Sequence, residues 1–294
     1  MAKEDALSIL LADGTTADKL KESYAELVDM IQKSAISAQI KNTNLSGNPE
    51  SGSVEARRLM TAESQTYGTA RTAGAGDKVK NNGVTINLDV DKEIVEEVEW
   101  KDIQFYGIDG IIAKRQANHQ NAMIRELDRA FFAEAESEGT GVSITGTEIV
   151  DRLEELIQAV ETVSNDNVDG VDREMLVLSV TPNIYGQVRT YLDKVTNLNG
   201  QDYNVFHGVR IFSNTRQTKD AICMAIGAIA QPVVAQPYVV EPIPLSNAVA
   251  IELFYHYGTK AVMPDLIKYA SLSAVGWPVI PPYPSILRAR TPAQ

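Results

Sequence analysis

The 294-residue chain is 44% hydrophobic and 22% charged, ordinary proportions for a globular protein with a real core. Its net charge of -12 argues against a protein whose main work is gripping nucleic acid, because that affinity comes from neutralising phosphates. No apolar run approaches the roughly 18–20 residues of a membrane span, the start MAKEDALSILLADG lacks the basic region of a signal peptide, and a single cysteine, Cys223, rules out an internal disulfide and fits a cytosol.

In chain order, residues 16–41 predict a helix, with Leu20, Tyr24, Leu27, Ile31 and Ala35 on one face. The coil-forming stretch KNTNLSGNPESGS follows, so this helix reads as a tethered arm and not as one docked by a tight turn. From Val54 to Trp100 the sequence predicts a long two-stranded loop. Val84–Val90 alternates strictly, as a half-exposed strand does, and Gly74, Gly76 and Gly83 bracket a flexible tip. The loop is too poor in apolar residues to sit in a core, so it must lie on another surface. Between Ala56 and Lys80 there are five bases (Arg57, Arg58, Arg71, Lys78, Lys80) against two acids; between Val84 and Asp109 there are eight acids against two bases. The basic leg could pair with the acidic leg across the hairpin, or with the acidic base of a neighbouring subunit.

Lys101–Gly139 predicts one long helix, with Asp102 or Asp109 as cap and Gly139 as stop. From Asp109 it would be a rod of about 45 Å. Ala113, Ala117, Ile124, Leu127, Phe131 and Ala135 share a face, and Lys114–Asn121 forms a polar waist in which His119 is expected to be solvated. An α/β segment comes next. Thr145 with Glu148 suggests a capping box for a helix bearing Leu153, Leu156, Ile157 and Val160. Met175–Val180 predicts a buried strand, Thr181-Pro182 a helix start, and Val209–Phe212 and Ala221–Ile226 further strands. Strands are expected again around Val239–Ile243, Val249–Tyr255 and Ala261–Met263, with Pro264–Ile267 turning the chain. Ten of the twelve prolines lie beyond Ala230, and residues 276–294 read as an extended proline-rich tail.

No motif supports an enzyme, and no catalytic, cofactor-binding or metal-ligating residue is expected. His119, His207 and His256 are far apart. Cys223 sits in an apolar strand, where an inert buried thiol is the default. Gly141–Gly146 has Thr145 where a nucleophile elbow needs glycine, and Gly74–Lys78 lacks the glycine and hydroxyl of a phosphate loop. Asn165–Gly170 imitates a calcium loop, but its twelfth position is Leu176, so a turn is the better reading. Asp89, Asp91 and Glu93 read as a solvated acidic face.

The order of these parts resembles the tailed-bacteriophage major capsid proteins of the Hong Kong 97 type. INLDVDKEIVEEVEWKDIQFYGID running into IIAKRQANHQNAMIRELDRAFF is similar to that family's descending loop leg and spine helix. LVLSVTPNIYGQVRTYL followed by FHGVRIFSN is similar to its axial-domain strands, and VAIELFYHYGTKAVMPDLIKY to its closing peripheral-domain strand. The resemblance implies an α+β fold with an N-arm (1–53), an extended β-hairpin loop (54–100), and a spine helix with the first part of a peripheral domain (101–144). It further implies an axial domain (145–236) and a second peripheral part with the C-terminal tail (237–294). The implied function is a structural subunit, made in the host cytoplasm, that self-assembles through hexamers and pentamers into a virion head. That shell would enclose double-stranded DNA without sequence-specific binding, use a portal and touch no membrane. The short stretch before the first helix implies a separate scaffolding protein. Lys78 and Lys80 lie where some members carry a cross-linking lysine, with no acceptor assigned. An encapsulin-type bacterial shell is the first alternative, and an α/β enzyme or ligand-binding protein the second.

Overall fold

The computed structural model describes residues 34–59, 81–196, 204–244 and 246–272. Most of the expected first helix lies outside them. Its end is α1 (Ile36–Ile40), entered through an extended Ala35. This end is docked, against the tethered reading. Ala35 and Ile40 are buried, Ile40 packs with Phe131 and Phe132, and the Ser37 amide donates to Asp128 Oδ1 at 2.9 Å. The coil reading of 41–53 counted turn residues and overlooked the apolar Ile40 ahead of them.

The loop is two-stranded, as expected. β1 (Ser53–Leu59) pairs antiparallel with β2 (Asn81–Asn87), Ser53 opposite Asn87 and Leu59 opposite Asn81. Its tip, with Arg71, Lys78 and Lys80, lies outside the described residues. The base does have a small core: Val54, Ala56 and Ile86 are buried against Ala230 and Val262. Gly258 crosses the base so closely that a Cβ there would stand 1.9 Å from the Asn87 carbonyl oxygen, which requires glycine.

The chain then leaves the hairpin. β3 (Val90–Glu99) pairs along all ten of its residues with Ala248–Tyr257. The acidic leg therefore faces a different strand from the basic one. The α2 segment (Trp100–Glu138) follows, and it is not one rod: Gly107, at φ 71° and ψ 160°, divides a short first piece from the long remainder. Glycine reaches this backbone at no steric cost. Asp102 is not the cap of the segment, and the Asp109 side chain lies outside the described ones. The segment begins after an extended Glu99 with no side-chain cap, and it ends where the Gly139 amide donates to the Ala135 carbonyl.

α3 (Ile149–Glu161) buries Leu153, Leu156, Ile157 and Val160. The capping box does not form; the Thr145 amide and hydroxyl donate instead to the Glu155 carboxylate at 2.8 and 3.0 Å. β4 (Leu176–Val180), α4 (Pro182–Thr196) and β5 (Val209–Ser213) form a parallel β-α-β unit, and β6 (Ala221–Ala225) joins β4 antiparallel. Beyond β7 (Val239–Pro242) and β8 (Ala248–Tyr257), the expected turn is a 3-10 turn at Pro264–Leu266, and it leads into β9 (Ile267–Ala270), a strand the sequence reading did not foresee. Periodicity could not show it, because both its ends are buried while its middle is only half so.

Two sheets result. In one, β8 is flanked by β3 along one edge and by β7 and Val233–Ala235 along the other. In the other, six strands run in the order Thr140–Gly141, β9, β6, β4, β5, Val205–Phe206. α3 and α4 cover one face of this six-stranded sheet, packing Leu156, Ile157, Ile184 and Val188 on Leu176, Leu178 and Cys223. The end of α2 covers the other, with Phe131, Phe132 and Ala135 on Val177, Ile222 and Met224. Its middle lies on the first sheet, where Ile112, Met123, Ile124 and Leu127 meet Val249, Ile251, Leu253 and Tyr255. One helix thus spans two sheets. A strand covered on both faces reads as a continuous apolar run, which is why β4 and β6 are buried throughout.

Candidate assembly elements

At the loop base, the Arg58 guanidinium donates two parallel bonds to the Asp265 carboxylate, at 2.5 and 2.8 Å. Asn165 Nδ2 donates to the same carboxylate at 2.6 Å. Burial pulls the Asp265 carboxyl up, but the bonds from Arg58 and Asn165 outweigh it and leave it below its ordinary value. One carboxylate thereby joins the loop, the turn before β9 and the Ser164–Asp169 hairpin. That hairpin is the segment that imitates a calcium loop. Asn165 Oδ1 accepts from the amides of Asn167 and Val168, so it is a turn in the structure as in the sequence reading. Among the described residues Arg57 pairs with its own strand neighbour Glu55, at 3.5 Å.

The polar waist of α2 is buried along one face, at Gln116, His119 and Gln120, while Lys114, Arg115, Asn118 and Asn121 are exposed. His119 is 2% exposed, against the expectation that it is solvated. Its Nδ1 lies 3.0 Å from the Tyr238 hydroxyl, and its Nε2 lies 3.1 Å from Glu96 Oε2 without the alignment of a hydrogen bond. Glu96 also receives both sides of the Arg115 guanidinium, and Arg115 first, aided by His119, holds its carboxyl below the ordinary range. Further along, Lys92 and Tyr257 meet Glu126 at 3.2 and 3.0 Å. Gln116 and Gln120 are buried, while Ala113 and Ala117 are exposed. The phase of the stripe runs through Ile112, Gln116, His119, Met123 and Leu127, and sequence reasoning missed it by following apolar residues alone. The signal was available, since these positions continue the three-and-four spacing.

Closer to its end, α2 carries a fully buried acid. Asp128 accepts from the Ser37 amide and, at 2.8 Å, from Arg216 Nη1, tying the arm and the segment after β5 to the helix. Glu136 accepts from the amides of Thr218 and Lys219, and Glu134 from that of Ala261. On the far side of the six-stranded sheet Arg173 bridges Glu154 and Glu161, which raises its guanidinium further, and His207 Nδ1 reaches Glu154 at 2.9 Å. These are structural contacts: each carboxylate is already held by a cation or by backbone amides.

Cys223 is buried, and desolvation pushes its thiol well up, away from reactivity. Among the described residues, no cluster of His, Cys, Asp and Glu could hold a metal ion, and no helix is long and apolar enough to cross a membrane. A groove of about 520 Å³ is lined by Glu96, Glu97, Asp102, Ile111, Lys114 and Arg115; it offers charges but no nucleophile beside a base.

No protein-family model and no curated protein sequence matches the chain. Solved structures do. A protein of Mycobacterium phage Che8 is 18% identical with a TM-score of 0.53, covering 76% of this chain and 85% of its own. The capsid structure of the cyanophage P-SCSP1u is 12% identical with a TM-score of 0.55, covering 79% and 85%. A virus-like particle from Pyrococcus furiosus is 15% identical with a TM-score of 0.53, covering 86% and 98%. Likeness at this identity carries shape, and the shape is shared along most of each chain. From the hinged helix laid across two sheets to the two-stranded loop at its side, the chain has the α+β fold of the tailed-bacteriophage major capsid proteins, the Hong Kong 97 type.

Proposed function

We propose that the chain is a structural subunit that self-assembles, through hexamers and pentamers, into the icosahedral head shell of a tailed phage enclosing double-stranded DNA. The observation that carries this reading is the fold shared with capsid structures, in which the described base of the loop is held to the body by Arg58–Asp265 and a small apolar patch. An isolated two-stranded ribbon is marginal in water, so a loop of this kind gains most by lying on a neighbour. The net charge of -12 supports it too, since packaged DNA must slide and not adhere. In this reading residues 1–53 are the N-arm and 54–100 the extended loop; a separate scaffolding protein and a portal are its partners, and the virion is its destination. Coexpression with the scaffolding protein, followed by negative-stain imaging, is the test. Uniform shells tens of nanometres wide are expected, and a persistent monomer would sink the reading.

A second reading is an encapsulin-type bacterial nanocompartment. The likeness to the Pyrococcus furiosus virus-like particle, which spans 98% of that chain, favours keeping it. Shells isolated from the native host would then carry a protein cargo and no DNA; nuclease-protected DNA inside them decides for the phage.

A further inference from the structure

Arg58 and Asn165 belong to different parts of the chain and meet on one carboxylate. Arg58 donates Nη1 to Asp265 Oδ1 and Nη2 to Oδ2, and Asn165 Nδ2 donates to the same Oδ2 at 2.6 Å. Among the described residues the guanidinium has no second acceptor, and its buried Nε is unpartnered. The Arg58 side chain is only 12% exposed, so water replaces a lost acceptor poorly. The hold of Arg58 on the body therefore rests on how the Asp265 carboxylate is presented to it.

A bidentate pair needs the guanidinium and the carboxylate to lie nearly in one plane. The terminal torsion of an aspartate is broad and does not fix that plane by itself. The root of Asp265 is fixed. It sits in the 3-10 turn Pro264–Leu266, where Leu266 is buried and the preceding Met263 packs on the cores of both the six-stranded sheet and the loop base. Rotation about the Cβ–Cγ bond remains, and the bond from Asn165 to Oδ2 restrains it from a second side.

Asn165 can do this because an amide has a donor end and an acceptor end. Its Oδ1 accepts from the amides of Asn167 and Val168 at 2.9 and 3.1 Å, which leaves Nδ2 for Asp265. The hairpin is fastened in turn to α3: the Gly170 amide donates to the Val163 carbonyl, and the Val171 amide to the carbonyl of Glu161, the last residue of that helix. Ser164, Asn165, Asp166 and Asp169 are exposed. Asn165 thus belongs to α3 and its hairpin, whereas Arg58 belongs to the loop. Among the described residues Asn165 itself makes no hydrogen bond to the loop.

We propose that Asn165 is a positioning residue for the loop: acting through the Asp265 carboxylate, it sets the plane in which Arg58 is held, so that the exposed Ser164–Asp169 hairpin governs how firmly the loop base is latched to the body. This relay lies within one subunit, goes beyond the shell reading and does not depend on it.

Deuterium exchange over Ser53–Leu59 in the full chain tests it. Asn165→Ser keeps an oxygen for the turn amides and removes the donor to Asp265. It should speed exchange of β1 about twofold to fivefold, as expected for losing one hydrogen bond. Arg58→Ala should speed it more. Adding Asn165→Ser to Arg58→Ala should then change nothing further, because residues that act through a shared partner are not additive. Uptake over Leu176–Val180, in the same samples, reports that the body stays folded. Loop exchange that stays at the wild-type rate in Asn165→Ser, or that rises by the same factor with and without Arg58, overturns the proposal.

Discussion

At the residue scale, the polar groups under α2 are fixed by what burial demands of them. A buried charge survives only with a partner, and Asp128, with 0% exposure, has the Arg216 guanidinium and the Ser37 amide. Asp128→Ala would leave Arg216 unpaired in a site it only partly shares with solvent. A loss of about 3 kcal/mol is expected in urea unfolding, the lower end for breaking a buried pair. His119→Ala removes a packed ring and the partner of the Tyr238 hydroxyl together, and should cost ~2–3 kcal/mol by the same measurement. The Glu96 and Asp265 carboxyls give a pH dependence. Both are held below their ordinary values in the folded chain, so both bind protons more readily when it unfolds. Their contribution is complete above the unfolded carboxylate range, near pH 4, and is lost as pH falls from there through the lower folded values. Thermal midpoints measured from pH 6 to pH 3 should therefore fall, and Asp265→Asn should flatten part of that slope. An equally steep fall in the variant would remove Asp265 from the account.

At the scale of elements, the decisive feature is the bend in α2. Gly107 has open space where a Cβ would go, so a substitution there meets no neighbour, and its cost lies in the backbone alone. Gly107→Ala forces either strain of ~1–2 kcal/mol or a straightened helix start. Calorimetry should show the loss as a lower unfolding temperature. A midpoint equal to wild type would mean that the two pieces of the helix are free to realign. The loop is the second such element. Leu59 and Asn81 are directly opposite each other, so an Asn-Gly turn can replace residues 60–80 without disturbing the register. The shortened chain should fold with an unchanged unfolding midpoint, because the anchors at Arg58, Val54 and Ile86 all remain. Its assembly should fail or slow, which sedimentation of coexpressed material would report. If the shortened subunit unfolds instead, the tip belongs to the subunit's own core.

At the scale of the whole molecule, one helix serves two sheets, and that explains both its length and its mixed surface. Where it covers the six-stranded sheet it is aromatic, with Phe131 and Phe132; where it covers β3 and β8 it is partly polar, because β3 itself is charged. The shape of this body matches capsid structures over three quarters or more of the chain. The acidic balance belongs to this scale too. It acts through the potential of the whole surface and says nothing about the fold.

Much of the architecture was legible in the amino-acid order. Strict alternation announced the half-exposed loop strand, continuous apolar runs announced β4 and β6, and the three-and-four spacing of Ile124, Leu127, Phe131 and Ala135 announced the helix. These are local properties, set by the geometry of single elements. What the sequence could not decide was which element faces which. The acidic leg was equally suited to the basic leg or to a neighbour, and only its pairing with β8 removed the basic leg as its strand partner. His119 read as solvated, and Asp128 and Asp265 drew no reading at all, because a polar residue carries no mark of burial; their partners lie far off in the chain, at Glu96, Arg216 and Arg58. Periodicity is written along the chain, whereas charge compensation across long loops is a property of the folded arrangement alone.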